Sequence, residues 1–280
     1  MTQTRRFQQC DVFTNTPTRG NALAVVIDGD GLSDDTMQSF ARWTNLAETT
    51  FICRPTLAKA DYRVRIFTPG REMSFAGHPT LGSCMTWLRT GATPQQAGLV
   101  RQECAIGLVD IDISGDRPAF VAPPTTIQPM DPAECARITS RLKIPRDAIR
   151  ATATLDNGPV WQMFELDRAQ TVLDLDATLV RWPEFKAMGL FARQPAGADT
   201  DYEVRMLAPS SGMTEDPITG SLNAALACWL RAEGRLETPI VMAQGTQVGR
   251  FGRVHITPYG PETTLIGGDV QFLVEGTVQL

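Results

Sequence analysis

Alternating apolar and polar positions predict two strands of nearly the same sequence. They are DYRVRIFTPG at residues 61–70 and DYEVRMLAPS at residues 201–210. In both, tyrosine, valine and a further apolar residue alternate with polar ones, which is the pattern of a strand with one buried face, and both end at a proline region. Asp, Tyr, Val, Arg and Pro coincide at a constant spacing of 201 − 61 = 140 residues. The chain therefore contains an internal repeat.

The likeness continues beyond the strands into a turn and a helix. GHPTLGS at 77–83 lies over EDPITGS at 215–221, at a spacing of 215 − 77 = 138, so the second copy is expected to lack two loop residues. Each turn leads into an apolar run of helical period that stops at a glycine. These runs are CMTWLRTG at 84–91 and LNAALACWLRAEG at 222–234. Strand pairs follow in both copies, so one strand–loop–helix–strand unit is predicted twice.

This repeat predicts two lobes related by pseudo-symmetry. We expect an N-terminal lobe at 1–122, completed by part of the C-terminal end, and a C-terminal lobe at 123–280. The proline-rich segment 121–125 is the expected crossover, and residues 131–142 are expected to form a helix capped by Asp131. The alternative is a single α+β domain in which the local likeness is coincidental.

Under this alignment, His78 falls opposite Asp216, each just before a Pro-x-x-Gly-Ser sequence. In a two-fold arrangement the two turns would face one another across the cleft between the lobes, where small-molecule sites are common. Gly82-Ser83 and Gly220-Ser221 are expected near helix starts, whose free N–H groups and dipole could hold a carboxylate or a developing enolate. The alternative is that Pro-x-x-Gly-Ser is merely a helix-starting signal.

Glu48 is the third candidate for chemistry. Residues 32–43 have the apolar spacing of a helix, and TTFICR begins a strand just after Glu48. The glutamate is thus expected on a helix-to-strand connection among Leu46, Ala47 and Phe51, where desolvation would raise its carboxyl pKa toward neutrality, as a proton shuttle requires. The alternative is a solvated loop glutamate.

Composition narrows the class of protein. Of the 280 residues 42% are hydrophobic and 20% are charged, which is typical of a soluble globular protein, and the net charge is −5. Because there is no block of Lys and Arg, we expect no nucleic-acid partner. No apolar run is long enough for a membrane span, and no signal peptide is recognised. The six scattered cysteines favour reduced thiols in a cytoplasmic protein over a zinc site or a disulfide framework.

The second histidine and the tryptophans are assigned structural places. His255 is expected to be a strand residue that is exposed or hydrogen-bonded. The tryptophans are expected in the core, with one or two as possible cleft walls: Trp43, Trp87, Trp161, Trp182 and Trp229.

The sequence resembles a known family, the phenazine-biosynthesis-like (PhzF-like) isomerases, which are relatives of diaminopimelate epimerase in fold. The resemblance covers nearly the whole chain. It depends on DVFTNTPTRGNALAVV (11–26), LSDDTMQSFARWTNLAETTFI (32–52), FTPGREMSFAGHPTLG (67–82), EDPITGS (215–221) and a closing segment expected as the last hairpin (266–280). The resemblance implies an α+β fold of two pseudo-symmetric lobes, each a curved mixed sheet around a central helix. It also implies an active site in the cleft, a homodimer, and catalysis without cofactor or metal.

The resemblance also implies roles for individual residues. Glu48 matches the family's acid/base glutamate, and His78 and Asp216 match its two flanking polar residues. Gly220 and Ser221 match the segment that holds a substrate carboxylate, while Asn21, in the Gly20-Asn21 motif, matches a residue that shapes the cleft floor. The candidate substrate-binding residues are therefore Asn21, Gly77, Gly82, Ser83, Gly220 and Ser221.

Departures from the family pattern leave the substrate open. Racemase and epimerase relatives use two opposed cysteines in the corresponding turns. Here Cys84 and Cys228 fall inside the expected helices instead, which disfavours racemisation by two thiols. Gly-His-Pro-Thr, Ala47 and Ser221-Leu-Asn223 also differ from common family sequences.

We therefore expect a cofactor-independent isomerase that moves a proton and a double bond in a small carboxylated acid or amino acid. One alternative is an epimerase or racemase that uses Glu48 with His78 or Asp216 as opposed bases. The other is a carboxylate-binding protein without catalytic activity.

Overall fold

A computed structural model describes residues 2–179, 187–208 and 214–280. The chain divides into two compact units, which we call unit 1 (residues 1–121 and 267–280) and unit 2 (residues 122–266). The division lies one residue before the expected boundary. Residues 267–280 belong to unit 1, as expected for a first lobe completed by part of the C-terminal end, so the second unit ends at residue 266 rather than 280. The mixed sheets and the helices packed on them confirm the α+β class.

Unit 1 has nine strands and two helices within the described residues. The strands are β1 (Thr4–Val12), β2 (Asn21–Val26), β3 (Glu48–Cys53), β4 (Tyr62–Phe67), β5 (Glu72–Met73), β6 (Leu99–Cys104), β7 (Gly107–Asp112), β8 (Ala119–Val121) and β18 (Val270–Gln279). The helices are α1 (Asp34–Thr44) and α2 (Gly77–Arg89). The strands pair in the order β18-β1-β2-β3-β4-β6-β7-β8, with the short β5 also on β4. Only the β2–β3 and β4–β6 pairs are parallel.

Unit 2 repeats this plan. Its strands are β9 (Thr126–Gln128), β10 (Ile149–Asp156), β11 (Val160–Leu166), β12 (Ala187–Arg193), β13 (Tyr202–Leu207), β14 (Glu215–Asp216), β15 (Ile240–Gln244), β16 (Gly252–Tyr259) and β17 (Thr263–Gly267, whose last residue belongs to unit 1). Its helices are α3 (Pro132–Leu142), α4 (Ala169–Asp174) and α5 (Gly220–Ala232), with single 3₁₀ turns at Arg146–Ala148, Ala177–Leu179 and Thr246–Val248. The pairs run β9-β10-β11-β12-β13-β15-β16, with β14 on β13, and β11–β12 and β13–β15 are parallel. The parallel and antiparallel steps thus recur in the same order, which confirms the predicted internal repeat.

The strand registers correct the alignment of the turns. Tyr62 and Tyr202 start equivalent strands at the predicted spacing, but Met73 pairs with Ile66 as Asp216 pairs with Met206. The spacing at this point is therefore 216 − 73 = 143, and the helices that follow keep it, since 220 − 77 = 143. The second copy has three extra residues before β14 rather than two fewer. Asp216 is thus the counterpart of Met73, and the counterpart of His78 is Ser221.

Helix α1 forms where the apolar spacing predicts it. Ser33 accepts a hydrogen bond from the N–H of Thr36 and caps the helix, and Asn45 ends it in the left-handed conformation. Its buried face includes Phe40, which packs edge-on against Phe51 of β3. The helix therefore packs against the middle of β3. In unit 2, the predicted helix capped by Asp131 is confirmed as α3.

The tryptophans divide between core and surface. Trp161 and Trp229 are buried as expected, and half-buried Trp87 stacks on Tyr62. The prediction for Trp43 was wrong, because its side chain is 78% exposed and only stacks on Phe40 at 5.8 Å between ring centroids. Trp182 lies outside the described residues, as do residues 209–210 of the second repeated strand.

All six cysteines are free thiols. Within the described ranges, no helix is both long enough and apolar enough to cross a bilayer.

Candidate active site

Glu48 lies at the first position of β3, where the chain leaves the end of α1. It pairs in parallel register with Leu23 of β2. The hydroxyl groups of Thr44, at the end of α1, and Thr49 lie 2.8 Å apart and tie the helix to the strand beside Glu48. The glutamate side chain is 17% exposed. The predicted helix-to-strand position is confirmed, and the carboxylate is mostly buried rather than fully solvated.

His78 is the second residue of α2 and is only 4% exposed. Extended Ala76 precedes the helix, and the Thr80 hydroxyl donates a hydrogen bond back to the Ala76 carbonyl at 2.9 Å. This first turn directs the imidazole toward β3, where Nε2 of His78 lies 3.3 Å from Oε2 of Glu48. The structure therefore brings together two of the three predicted catalytic residues within unit 1.

Burial sets the charge of the imidazole. It lowers the pKa of His78 from 6.5 to about 3, because a buried imidazolium would lose its hydration. His78 is therefore neutral at neutral pH and has one N–H donor and one acceptor nitrogen. The two atoms are 3.3 Å apart but are not oriented as a hydrogen bond, so one side chain must reorient before an N–H at Nε2 can donate to an ionised Glu48 carboxylate. The pair then carries at most one negative charge.

Gly82 and Ser83 do not lie at the helix start, and this prediction was wrong. Helix α2 begins at Gly77, so both residues fall in its second turn and face the sheet. A Cβ on Gly82 would come within 2.5 Å of Leu23 Cδ2, and the fully buried Ser83 donates a hydrogen bond to Thr50 Oγ1 at 2.9 Å. Close packing between helix and strands explains both residues, and neither is available to a substrate.

Asn21 and Gly77 occupy buried element starts in unit 1. Asn21 opens β2 opposite Val12, and Gly77 is the first residue of α2. The preceding Gly20 approaches β1 so closely that a Cβ would lie 2.6 Å from the Val12 carbonyl oxygen. These positions explain the Gly-Asn motif by packing, while contact of Asn21 or Gly77 with a substrate stays a prediction.

Asp216 lies in unit 2, at the end of β14 and four positions before α5 begins. Its Oδ2 accepts a short hydrogen bond from the Thr219 hydroxyl, and its backbone carbonyl accepts one from Gln244 Nε2 at 3.3 Å. The strand itself is held by Glu215, whose carboxylate forms a bidentate pair with Arg205. The aspartate therefore belongs to a rigidly bonded turn.

Gly220 and Ser221 form the start of α5, as predicted. Thr219 is the residue before the helix, and no side chain caps this end. Ser221 is partly exposed, and its carbonyl accepts a hydrogen bond from Asn157 Nδ2 at 2.8 Å. Such a helix start can bind an anion through its N–H groups.

Sequence reasoning missed the residues that surround Asp216, namely Thr219, Asn223 and Gln244. The signal was present in β15, where Gln244 ends an otherwise apolar strand. A polar residue in a buried strand needs hydrogen-bond partners, which here lie at the start of α5.

No three or more His, Cys, Asp or Glu side chains converge as metal ligands in residues 2–179, 187–208 and 214–280. What unit 1 does hold is a carboxylate beside an uncharged imidazole. These are the groups that general acid–base enzymes use to move protons. The fold and the site thus define a duplicated α+β protein with a carboxylate beside a buried imidazole.

Comparison with known proteins identifies the family. The model of the phenazine biosynthesis-like proteins matches residues 10–276, and the chain belongs to this family. It is 34% identical to antisense-enhancing sequence 1 of Schizosaccharomyces pombe over 295 residues, which cover 96% of this chain and 97% of that protein. It is 33% identical to trans-2,3-dihydro-3-hydroxyanthranilate isomerase of Pseudomonas aeruginosa over 263 residues, which cover 91% of each.

A solved structure supports the fold. The PhzF-family phenazine biosynthesis protein of Bacillus anthracis superposes with a TM-score of 0.84 over 99% of this chain and 100% of that chain, at 19% identity. The relatives named as isomerases make this protein an isomerase.

Proposed function

We propose that the protein moves a proton, and with it a double bond, within a small carboxylated acid or amino acid, and that Glu48 is the acid/base. The observation that carries this proposal is the 3.3 Å approach of Glu48 Oε2 to the buried, neutral imidazole of His78. The named isomerase relative acts on an anthranilate derivative, a ring carboxylate with amino and hydroxyl substituents, which is a substrate of this chemical kind.

The reaction needs no net proton change. Ionised Glu48 takes a proton from an activated carbon of the substrate, and the electron pair of that C–H bond becomes part of the shifted double bond. Glu48 then returns the proton to another carbon of the same system, so its carboxylate is regenerated. Between these steps the glutamic acid and the imidazole are uncharged, and the negative charge lies on the substrate anion, delocalised over the shifting double bond until Glu48 returns the proton.

The unit 2 residues supply binding in this proposal. Asp216 accepts a hydrogen bond from the amino or hydroxyl group of the substrate, and the N–H groups and hydroxyl at Gly220 and Ser221 hold the substrate carboxylate. General acid–base action contributes about 10²–10⁴-fold to the rate. The remaining acceleration comes from positioning and preorganised dipoles, and the mechanism uses no cofactor.

The test is deuterium uptake from D₂O, followed by NMR, with trans-2,3-dihydro-3-hydroxyanthranilate and other carboxylated cyclic dienes and amino acids. We expect Glu48→Gln to lose both turnover and uptake, because the amide cannot accept the proton. Glu262→Gln changes an exposed turn glutamate and should keep both. Dialysis against EDTA should leave the rate unchanged.

The alternatives give different results in the same experiment. Full exchange by Glu48→Gln would exclude Glu48 as the base. Inversion at the exchanging carbon without a shifted double bond would identify an epimerase. Tight carboxylate binding with no exchange by the unmodified protein would identify a binding protein.

We propose a homodimer in the cytoplasm on the resemblance to the family alone. Sedimentation equilibrium of the purified protein tests the first point, and cell fractionation tests the second. A monomer at micromolar concentration would contradict the dimer.

A further inference from the structure

A chain of buried hydrogen bonds ends on Asp216. Asn223 Nδ2 donates to Gln244 Oε1 at 2.7 Å, and Gln244 Nε2 donates to Thr219 Oγ1 at 3.1 Å. The Thr219 hydroxyl then donates to Asp216 Oδ2. Gln244 and Asn223 are fully buried, and Thr219 is nearly so. All of these contacts lie within unit 2.

The direction of every bond in this chain is fixed. Gln244 Oε1 also accepts the backbone N–H of Thr219 at 3.1 Å, so two donors hold the amide oxygen in place. The amide NH₂ must therefore point at Thr219 Oγ1. Because a hydroxyl has a single proton, Thr219 accepts from Gln244 and must turn its own proton toward Asp216. The fixed orientation of the Gln244 amide thus directs the Thr219 proton to Asp216 Oδ2.

Unit 1 contains a similar chain of buried hydrogen bonds that ends on a backbone carbonyl. Tyr62 Oη donates to Gln102 Oε1 at 2.8 Å, and Gln102 Nε2 donates to Thr80 Oγ1 at 3.0 Å. There the threonine hydroxyl donates to the backbone carbonyl of Ala76, which is not a titratable group. Gln102 is as fully buried as Gln244. In unit 1 the glutamine–threonine chain therefore holds only backbone, whereas in unit 2 it holds a carboxylate.

We propose that Thr219 and Gln244 are positioning residues that fix the orientation of the Asp216 carboxylate for the substrate. This inference rests on the proposed function, in which Asp216 binds the amino or hydroxyl group. Thr219 holds Oδ2 directly, and Gln244 acts through Thr219 and also holds the Asp216 carbonyl. The carboxylate therefore meets the substrate at one fixed angle, which removes the reorientation that a freely rotating side chain would require.

The experiment uses two substitutions at Thr219 that separate the role of the hydroxyl from that of the methyl group. Thr219→Val keeps the shape and loses the donor, and Thr219→Ser keeps the donor. With trans-2,3-dihydro-3-hydroxyanthranilate as the assayed substrate, we expect Thr219→Val to lower kcat/KM by about 10- to 100-fold, and Thr219→Ser to stay within about threefold of the unmodified protein. Crystal structures should show the Asp216 carboxylate turned in Thr219→Val and unchanged in Thr219→Ser.

Gln244→Leu provides a second route to the same result, and Gln102→Leu is its matched control. Both remove a buried glutamine and should lower thermal stability similarly, but only Gln244→Leu should reorient the Asp216 carboxylate in a crystal structure. An unmoved carboxylate in Thr219→Val, or equal losses in Thr219→Val and Thr219→Ser, would overturn the positioning role.

Asp216→Asn separates this inference from the proposed function. If Asp216→Asn retains full kcat/KM, the proposed role of Asp216 is itself wrong. If Asp216→Asn is impaired while Thr219→Val is fully active, the role of Asp216 stands and only the positioning by Thr219 fails.

Discussion

His78 Nε2 and Glu48 Oε2 lie 3.3 Å apart although they belong to different elements, the first turn of α2 and the first position of β3. The contact between the Ser83 and Thr50 hydroxyls joins α2 to β3, and the contact between Thr44 and Thr49 holds β3 to α1. The geometry of the pair is therefore a property of the packed unit rather than of either local sequence. Its charge state follows from the same packing.

Burial of His78 predicts a loss of stability in acid. The pKa of His78 is about 3 in the folded protein, against the ordinary value of 6.5 expected in the unfolded chain. Between these pH values the unfolded chain therefore binds more protons. The free energy of unfolding should then fall as the pH falls from 6.5 toward 3, by up to about 1.4 kcal/mol per pH unit. His78→Gln removes this proton site and should flatten the dependence, as measured by urea unfolding at pH 7, 6, 5 and 4.

The control for this measurement is His255→Gln, which removes the half-buried strand histidine. A curve for His78→Gln as steep as that of the unmodified protein would show that protonation of His78 does not drive acid unfolding. An equal flattening in both variants would show that the pH dependence is not specific to His78.

The two Gly-Ser sequences predict opposite outcomes for the same substitution. Ser221 lies at the open start of α5, so Ser221→Ala should raise KM for a carboxylate substrate with a smaller effect on kcat. Ser83 is buried and bonded to Thr50, so Ser83→Ala should lower the free energy of unfolding by about 0.5–1.5 kcal/mol and leave KM unchanged. Steady-state kinetics and urea unfolding distinguish them, and a raised KM in Ser83→Ala would reverse the assignment.

Sequence patterns predicted those parts of the fold that depend on local periodicity. The strands beginning at Tyr62 and Tyr202, the helix leading to Glu48 and the helix start at Gly220 lie where apolar spacing and turn residues indicated. The equivalence of the two turns was not predictable this way, because Pro, Gly and Ser coincide at a spacing that the strand pairing does not use. The pairing of Asp216 with β13 and the start of α5 show that Met73 is its counterpart.

The electrostatic environment of the site also could not be predicted from the sequence. Desolvation of His78 and the hydrogen bonds around Asp216 arise from residues distant in the chain, such as Gln244. A motif names the chemical groups, but burial and bond direction decide their charge and orientation.

The repeated Arg–Glu pair predicts unequal stability effects in the two units. Arg205 and Glu215 are each only 3% exposed, and the guanidinium also donates to the carbonyls of Val172 and Leu175. Arg205→Met leaves a buried carboxylate without its partner and should lower the free energy of unfolding by about 3–5 kcal/mol.

Arg65 forms the equivalent pair with Glu72 and also binds Asp34, but the two carboxylates are 41% and 82% exposed. Arg65→Met should therefore cost no more than about 1 kcal/mol. Removing both partners, in Arg205→Met with Glu215→Gln, should recover part of the loss in urea unfolding. Equal effects of Arg205→Met and Arg65→Met would contradict the assigned difference in burial.

The close contact of α2 with β1 and β2 predicts a steric role for Gly82. A Cβ there would lie 2.5 Å from Leu23 Cδ2 and 3.0 Å from Val12 Cγ2, both in the buried core. Gly82→Ala should therefore force α2 away from the sheet and lower the free energy of unfolding by about 1–3 kcal/mol, despite the better helix propensity of alanine. Gly115→Ala is the control and should leave the free energy of unfolding nearly unchanged, because a Cβ at that position meets no atom within 4 Å. Since His78 lies one turn earlier on α2, Gly82→Ala should also lower the rate of Glu48-dependent deuterium uptake. An unchanged free energy of unfolding in Gly82→Ala would show that α2 can move away from the sheet without cost. The Glu48–His78 distance would then not be fixed by this packing.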